Sequence, residues 1–174
     1  MPFEVRPAGV EEETAGEPAA VAEANARRKA TASPSALRAS SPPSARGELV
    51  LGADTIVAVD GAILGKPRDE AQAREFLRRL AGCEHRVVGA IALAAEGDVV
   101  QAAVEITSVR FRDLDHPTLE WYVRSREWEG RAGGYAIQGR GAALIAGIRG
   151  DYLNVVGLPL ARLLELRPDL LSLT

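Results

Sequence analysis

Apolar and polar positions along the chain follow two periods. Residues 48–59 (ELVLGADTIVAV) are almost continuously apolar and rich in β-branched side chains, which predicts a strand buried on both faces. Asp60-Gly61 is a two-residue hairpin signal, so residues 62–64 are expected to return antiparallel until Pro67 ends the strand. Two further strand-like runs, 86–94 and 99–111, flank a turn at Glu96-Gly97-Asp98, and residues 142–148 and 153–156 read as shorter strands around a turn at Gly150-Asp151. Residues 3–5 read as a short leading strand, followed by an acidic turn at Glu11-Glu12-Glu13.

Helical spacing occupies the gaps. Pro18 suits a first helical turn and opens a helix through Ala22, Ala26 and Lys29. Asp69 caps a second helix with the stripe Ala73, Phe76, Leu77 and Leu80, stopped by Gly82. Asp115 and Pro117 start a third, with Leu119, Tyr122 and Val123 on one face, and Pro159 opens a last one through Leu163 and Leu164. Strands interspersed with helices indicate an α/β layered domain built on a mixed sheet. The chain, residues 1–174, reads as one domain without internal repeats, and the Pro/Ser-rich stretch 31–46 reads as a variable loop.

Composition removes several function classes. The formal charge is −3, so no bulk field draws the chain to nucleic acid or an anionic membrane. No apolar run approaches membrane-spanning length, which points to the cytoplasm. Cys83 as the one cysteine and His85 and His116 as the two histidines argue against a thiolate or imidazole zinc cluster, and any metal is expected to be a hard cation on carboxylates, phosphates and water.

Of 21 basic residues only Lys29 and Lys66 are lysine. Such a bias keeps a lysine either by chance or where a compact ammonium is needed. Asp54 lies inside the most apolar strand, where a carboxylate is costly unless it is paired, hydrogen-bonded or bound to a cation. It is either a satisfied structural aspartate or part of a site. The hairpin count favours the site: with Asp60-Gly61 as the turn, Val57 faces Leu64, and extrapolation puts Lys66 opposite Thr55 beside Asp54. A carboxylate, a hydroxyl and an ammonium gathered at one hairpin end suit phosphoryl or nucleotidyl chemistry.

The glycine-dense stretch 130–141 (GRAGGYAIQGRG) matches neither the phosphate-loop signature nor the dinucleotide fingerprint. Its Gln138 carries an amide able to read a base edge or a sugar hydroxyl.

Four blocks in order, LGADTIVAVDGAILGKP (51–67), LAGCEHRVV (80–88), GRAGGYAIQGRG and GDYLNVVGLPL (150–160), together resemble the Maf family, as do the upstream FEVRPAGVEEE and ARRKA blocks. The resemblance implies a fold around an elongated cleft, related to the inosine-triphosphate pyrophosphatases, and hydrolysis of nucleoside triphosphates to the monophosphate and pyrophosphate with a divalent metal. By motif position it implies Asp54 as proton acceptor, Lys29 and Lys66 as phosphate-neutralising lysines, and Glu12 as the acidic residue on the metal side with Asp54. Thr55 and Gln138 match positions linked to base selection, in the branch preferring dTTP and UTP. The resemblance also implies a homodimer.

Three departures qualify the match. The sequence starts after the family's first strand and its S-x-S-P-R-R phosphate loop. Gly130-Arg131 replaces Asp-Lys, leaving Arg131 to meet phosphate as a fork instead of a point charge. Gly82-Cys83-Glu84-His85 replaces Gly-Arg-Thr-His, a change expected to be harmless. From the first departure weak or absent activity is expected, and the alternative function is a catalytically impaired Maf-like protein acting in division control through a protein partner.

Overall fold

The computed structural model describes residues 4–5, 7–32 and 49–172. Helix α1 (Pro18–Thr31) is capped by Glu17, whose carboxylate accepts the Ala20 amide. Strands β1 (Leu49–Val59) and β2 (Ala62–Leu64) form the expected hairpin, with Asp60 and Gly61 both at positive φ (50° and 76°), as a type I′ turn requires. Helix α2 (Glu70–Leu80), capped by Asp69, buries Ala73, Phe76, Leu77 and Leu80. Strands β3 (Glu84–Ala95) and β4 (Asp98–Phe111) follow, then α3 (His116–Arg124), capped by Asp115. Two short 3-10 turns (Ala132–Gly134 and Gly139–Leu144) lead into β5 (Ile145–Arg149), α4 (Tyr152–Val156), α5 (Leu160–Leu166) and a closing 3-10 turn (Pro168–Ser172).

The architecture is α/β, as expected. Among the described residues the strands form one sheet of order β2-β1-β3-β4-β5, and where a mixed sheet was expected every pairing is antiparallel. Tight turns join β1 to β2 and β3 to β4, while α2 carries the chain from β2 across β1 to β3, so β2 and β3 run parallel without being paired to each other. The expected pairing of Val57 with Leu64 is present, and Asp54 lies opposite Ala90 in β3.

Period-two alternation splits the core between the two faces. Ile56, Val88, Ala90, Ala92 and Ala94 pack under α1, whereas Val57, Val59, Val87, Val109 and Phe111 pack against α2, α3 and the glycine-dense segment. Ile91 and Leu93 lie with Leu163 of α5. The first half of β1 departs from a strand buried on both faces: Leu49 and Leu51 are exposed, because α1 covers only the opposite face there.

Other corrections are local. Residues 153–156 are helical, not extended, because the Asp151 side chain accepts the Leu153 amide and starts α4. Residues 139–144, partly assigned to a strand, form a 3-10 turn before β5. Glu4 and Val5 are not in a strand, and Phe3 lies outside the described residues, as does most of the 31–46 stretch. No helix among the described residues is long and apolar enough to cross a membrane.

A candidate active-site cleft

Small residues set the distance between α1 and the sheet. Ala22, Ala26 and Ala30 form a buried stripe along the helix, and Ala26 and Ala30 meet Gly52 of β1. A Cβ on Gly52 would lie 2.2 Å from the Ala26 carbonyl oxygen and 2.5 Å from the Ala30 nitrogen, so the two backbones meet where only glycine fits. That contact brings the next helical row, Asn25 and Lys29, over Asp54, two positions beyond Gly52 on the same face.

A chain of charges results. Lys29 Nζ is 2.5 Å from Asp54 Oδ1 and 2.8 Å from Glu12 Oε1, and Lys66 Nζ is 3.4 Å from Glu12 Oε2. Asp54 is only 8% exposed, yet both of its oxygens are partnered, because Asn25 Nδ2 donates to Oδ2 at 3.1 Å. This pairing meets the cost of placing a carboxylate in an apolar strand. Hydrogen bonding to Lys29 holds the Glu12 carboxyl below its ordinary range. Burial pulls the Lys29 ammonium down, but hydrogen bonds to Asp54 and Glu12 outweigh it and leave Lys29 raised.

Sequence reasoning missed Asn25, which is 2% exposed. Its amide also clamps the backbone of Glu13, accepting from the nitrogen at 2.7 Å and donating to the carbonyl at 3.0 Å. One side chain therefore fixes both Asp54 and the segment that carries Glu12. The available signal was a polar residue four positions before Lys29 in an otherwise alanine-rich helix.

Lys66 joins the cluster by a different route from the one expected. The β1–β2 ladder ends at Leu64, and the Gly65 carbonyl accepts from Gly133 at 3.0 Å, so the chain turns away to the glycine-dense segment. Lys66 consequently meets Glu12, not Thr55.

These residues line a cleft of about 550 Å³, within the range of small-molecule sites. Glu12, Lys29, Asp54, Thr55, Lys66, Arg131 and Gln138 all face it. The cleft straddles β1: Asp54 and Ile56 look toward α1, whereas Thr55 and Val57 look toward Tyr135, Ile137 and Gln138. The lining joins the charged cluster to apolar wall from Val57, Tyr135 and Ile137, with the Gln138 amide beside it. Tyr135 is backed by His85, whose Nε2 lies 2.8 Å from the phenol oxygen, and both rings stack edge-on to Phe111. Burial pushes the His85 imidazole down to about 4 and the Tyr135 phenol up.

Glu12 and Asp54 are the carboxylates expected to hold a metal. No group of three or more His, Cys, Asp or Glu suited to a metal occurs among the described residues, so the donor set does not fit a cation held by protein alone. It fits a hard cation that takes one or two carboxylates and completes its shell with phosphate oxygens and water.

A family model described as Maf-like protein matches residues 1–168. A dTTP/UTP pyrophosphatase of Pyrococcus furiosus is 46% identical over 119 residues, covering 68% of this chain and 62% of that protein. The chain thus spans about three fifths of that relative's length. The dTTP/UTP pyrophosphatases of Pelotomaculum thermopropionicum (43% over 169 residues, 95% of this chain and 84% of that protein) and Thermus thermophilus (43% over 166 residues, 95% and 82%) align more fully.

Proposed function

The chain belongs to the Maf-like protein family, and on that footing we propose that it hydrolyses a pyrimidine nucleoside triphosphate, dTTP or UTP, to the monophosphate and pyrophosphate. The observation that carries this reading is the ion chain Asp54–Lys29–Glu12–Lys66, drawn from four separate segments into a cleft that also holds Gln138. The similarity to dTTP/UTP pyrophosphatases supports the choice of substrate.

Each residue then has a defined task. The triphosphate lies at the charged cluster. An ammonium has three N–H donors. Lys29 commits two of them to Asp54 and Glu12 and keeps one for phosphate, while the exposed Lys66 meets Glu12 only weakly and turns to phosphate readily. Arg131, which lines the same cleft, offers phosphate a planar fork. Water attacks the α-phosphorus and passes a proton to Asp54 as the bond to the β-phosphate breaks and pyrophosphate leaves. A positioned base of this kind contributes on the order of 10²–10⁴ in rate. Asn25 and Lys29 fix the orientation of that carboxylate. A divalent cation on Glu12 and Asp54 would offset phosphate charge and align the leaving group.

Pyrophosphate release from dTTP and UTP with Mg2+ or Mn2+, against an Asp54→Asn control, tests the reading. Release that disappears in the control supports it; no release above the control refutes it.

A further inference from the structure

Helix α3 and the turn after it hold the loop that carries Gln138 at several points. Tyr122 Oη accepts the Ala136 amide at 3.1 Å, and Glu127 Oε2 accepts those of Arg140 at 2.8 Å and Gly141 at 3.3 Å. The Arg140 guanidinium lies 5.8 Å from the Trp121 ring centroid. Glu127 is itself placed by Ser125, whose hydroxyl donates to the Tyr122 carbonyl at 2.6 Å and accepts the Glu127 amide at 3.2 Å. The loop is wound tightly: Gly139 has φ 63°, and a Cβ there would lie 2.9 Å from the Glu127 carboxylate.

We propose that Glu127 is a specificity-determining positioning residue, which holds the 138–141 loop so that Gln138 selects the imide edge of uracil or thymine over cytosine. This rests on the reading of Gln138 as the base-facing amide. A carboxamide carries both donor and acceptor, so by flipping it pairs with an imide edge or with a cytosine edge. Gln138 alone therefore does not discriminate. The neighbouring groups decide. The N–H groups of Arg140 and Gly141 are spent on Glu127, which holds the backbone directly after Gln138 in one setting. Released, the loop no longer holds Gln138 in that setting, its amide meets an imide edge or a cytosine edge equally well, and the preference falls.

The test compares wild type with Glu127→Ala and Glu127→Gln. Binding of UTP and CTP analogues with a methylene between the α- and β-phosphates is measured by calorimetry, which needs no turnover. Amide hydrogen exchange is followed over residues 136–141. Glu127→Ala should lower the UTP-over-CTP preference about ten-fold and lose protection at Arg140 and Gly141 while α3 stays protected. Glu127→Gln keeps a side-chain acceptor and should retain most of the preference. Gly139→Ala, which presses a Cβ on the carboxylate, should reproduce the alanine phenotype if Glu127→Ala fails to fold. An unchanged preference in the alanine variants, unchanged exchange, equal weakening for both analogues, or no preference in wild type would each overturn the proposal. Wild type that binds with a Glu127-dependent preference yet releases no pyrophosphate from UTP would refute the catalytic reading and leave this one standing.

Discussion

Lys29 Nζ stands 2.5 Å from Asp54 Oδ1, a contact made across 25 residues of sequence between a helix and the strand beneath it. The same ammonium is 2.8 Å from Glu12, so it is the central charge of the cluster. Asp54→Asn and Lys29→Met should each lower pyrophosphate release by roughly 10²-fold or more. Residues acting as one unit are non-additive. The double variant should therefore be scarcely slower than the worse single one, and a fully multiplicative loss in steady-state kinetics would show that the two act independently.

Lys66 behaves differently. Its side chain is 56% exposed and its contact to Glu12 is 3.4 Å, a geometry worth at most about 1 kcal/mol to the fold. Lys66→Ala should leave the thermal midpoint almost unchanged while raising KM for the triphosphate about ten-fold. A large drop in the midpoint would contradict this assignment.

Gly52 is the contact on which the position of α1 depends. Adding a methyl group there meets helix backbone, which cannot rotate aside as a side chain does. Gly52→Ala should cost about 1–3 kcal/mol in urea unfolding and reduce turnover by moving Lys29 and Asn25 off Asp54. Gly147→Ala, where a Cβ meets open space, serves as the control, with a change within about 0.5 kcal/mol.

His85 imposes a pH dependence on the fold. Burial depresses its imidazole from 6.5 to about 4, so between those values the unfolded chain binds a proton that the native state refuses. Stability should be level above pH 6.5 and fall as the pH drops toward 4, by up to about 3 kcal/mol. In His85→Gln the slope of unfolding free energy against pH should flatten over that window. An unaltered slope would place the dependence on other groups.

The sequence made the hairpin legible because turn chemistry and register are local: Asp60-Gly61 specifies the pairing of Val57 with Leu64 directly. Extending that count to Lys66 failed, since Gly65 gives its carbonyl to Gly133, a partner far along the chain. The run 153–156 was read as a strand for a related reason. Four residues carry too little periodicity to separate the two states. Asn154 settles the matter from outside, its amide donating to Val87, Glu105 and Thr107 across β3 and β4.

The candidate site divides the same way. Lys29, Asp54, Lys66 and Gln138 stood out through scarcity of type, an apolar setting or motif position. Asn25 and Glu127 did not: Glu127 holds backbone amides, which bear no mark of identity in a sequence, and Asn25 joins the Glu13 backbone to Asp54 across contacts that only the fold creates.

Asp54 and Thr55 are adjacent in the chain yet open on opposite sides of β1, and the cleft wraps around that strand to reach both. A nucleotide bound there would meet its charged end and its base end from two sides of a single strand. Removing or inserting one residue between Gly52 and the Asp60-Gly61 turn would exchange those sides, presenting the hydroxyl to phosphate and the carboxylate to the base. Such a frame error in β1 could keep its apolar strand character while inverting the polarity of the site, so the spacing of this segment is constrained by chemistry as well as by packing.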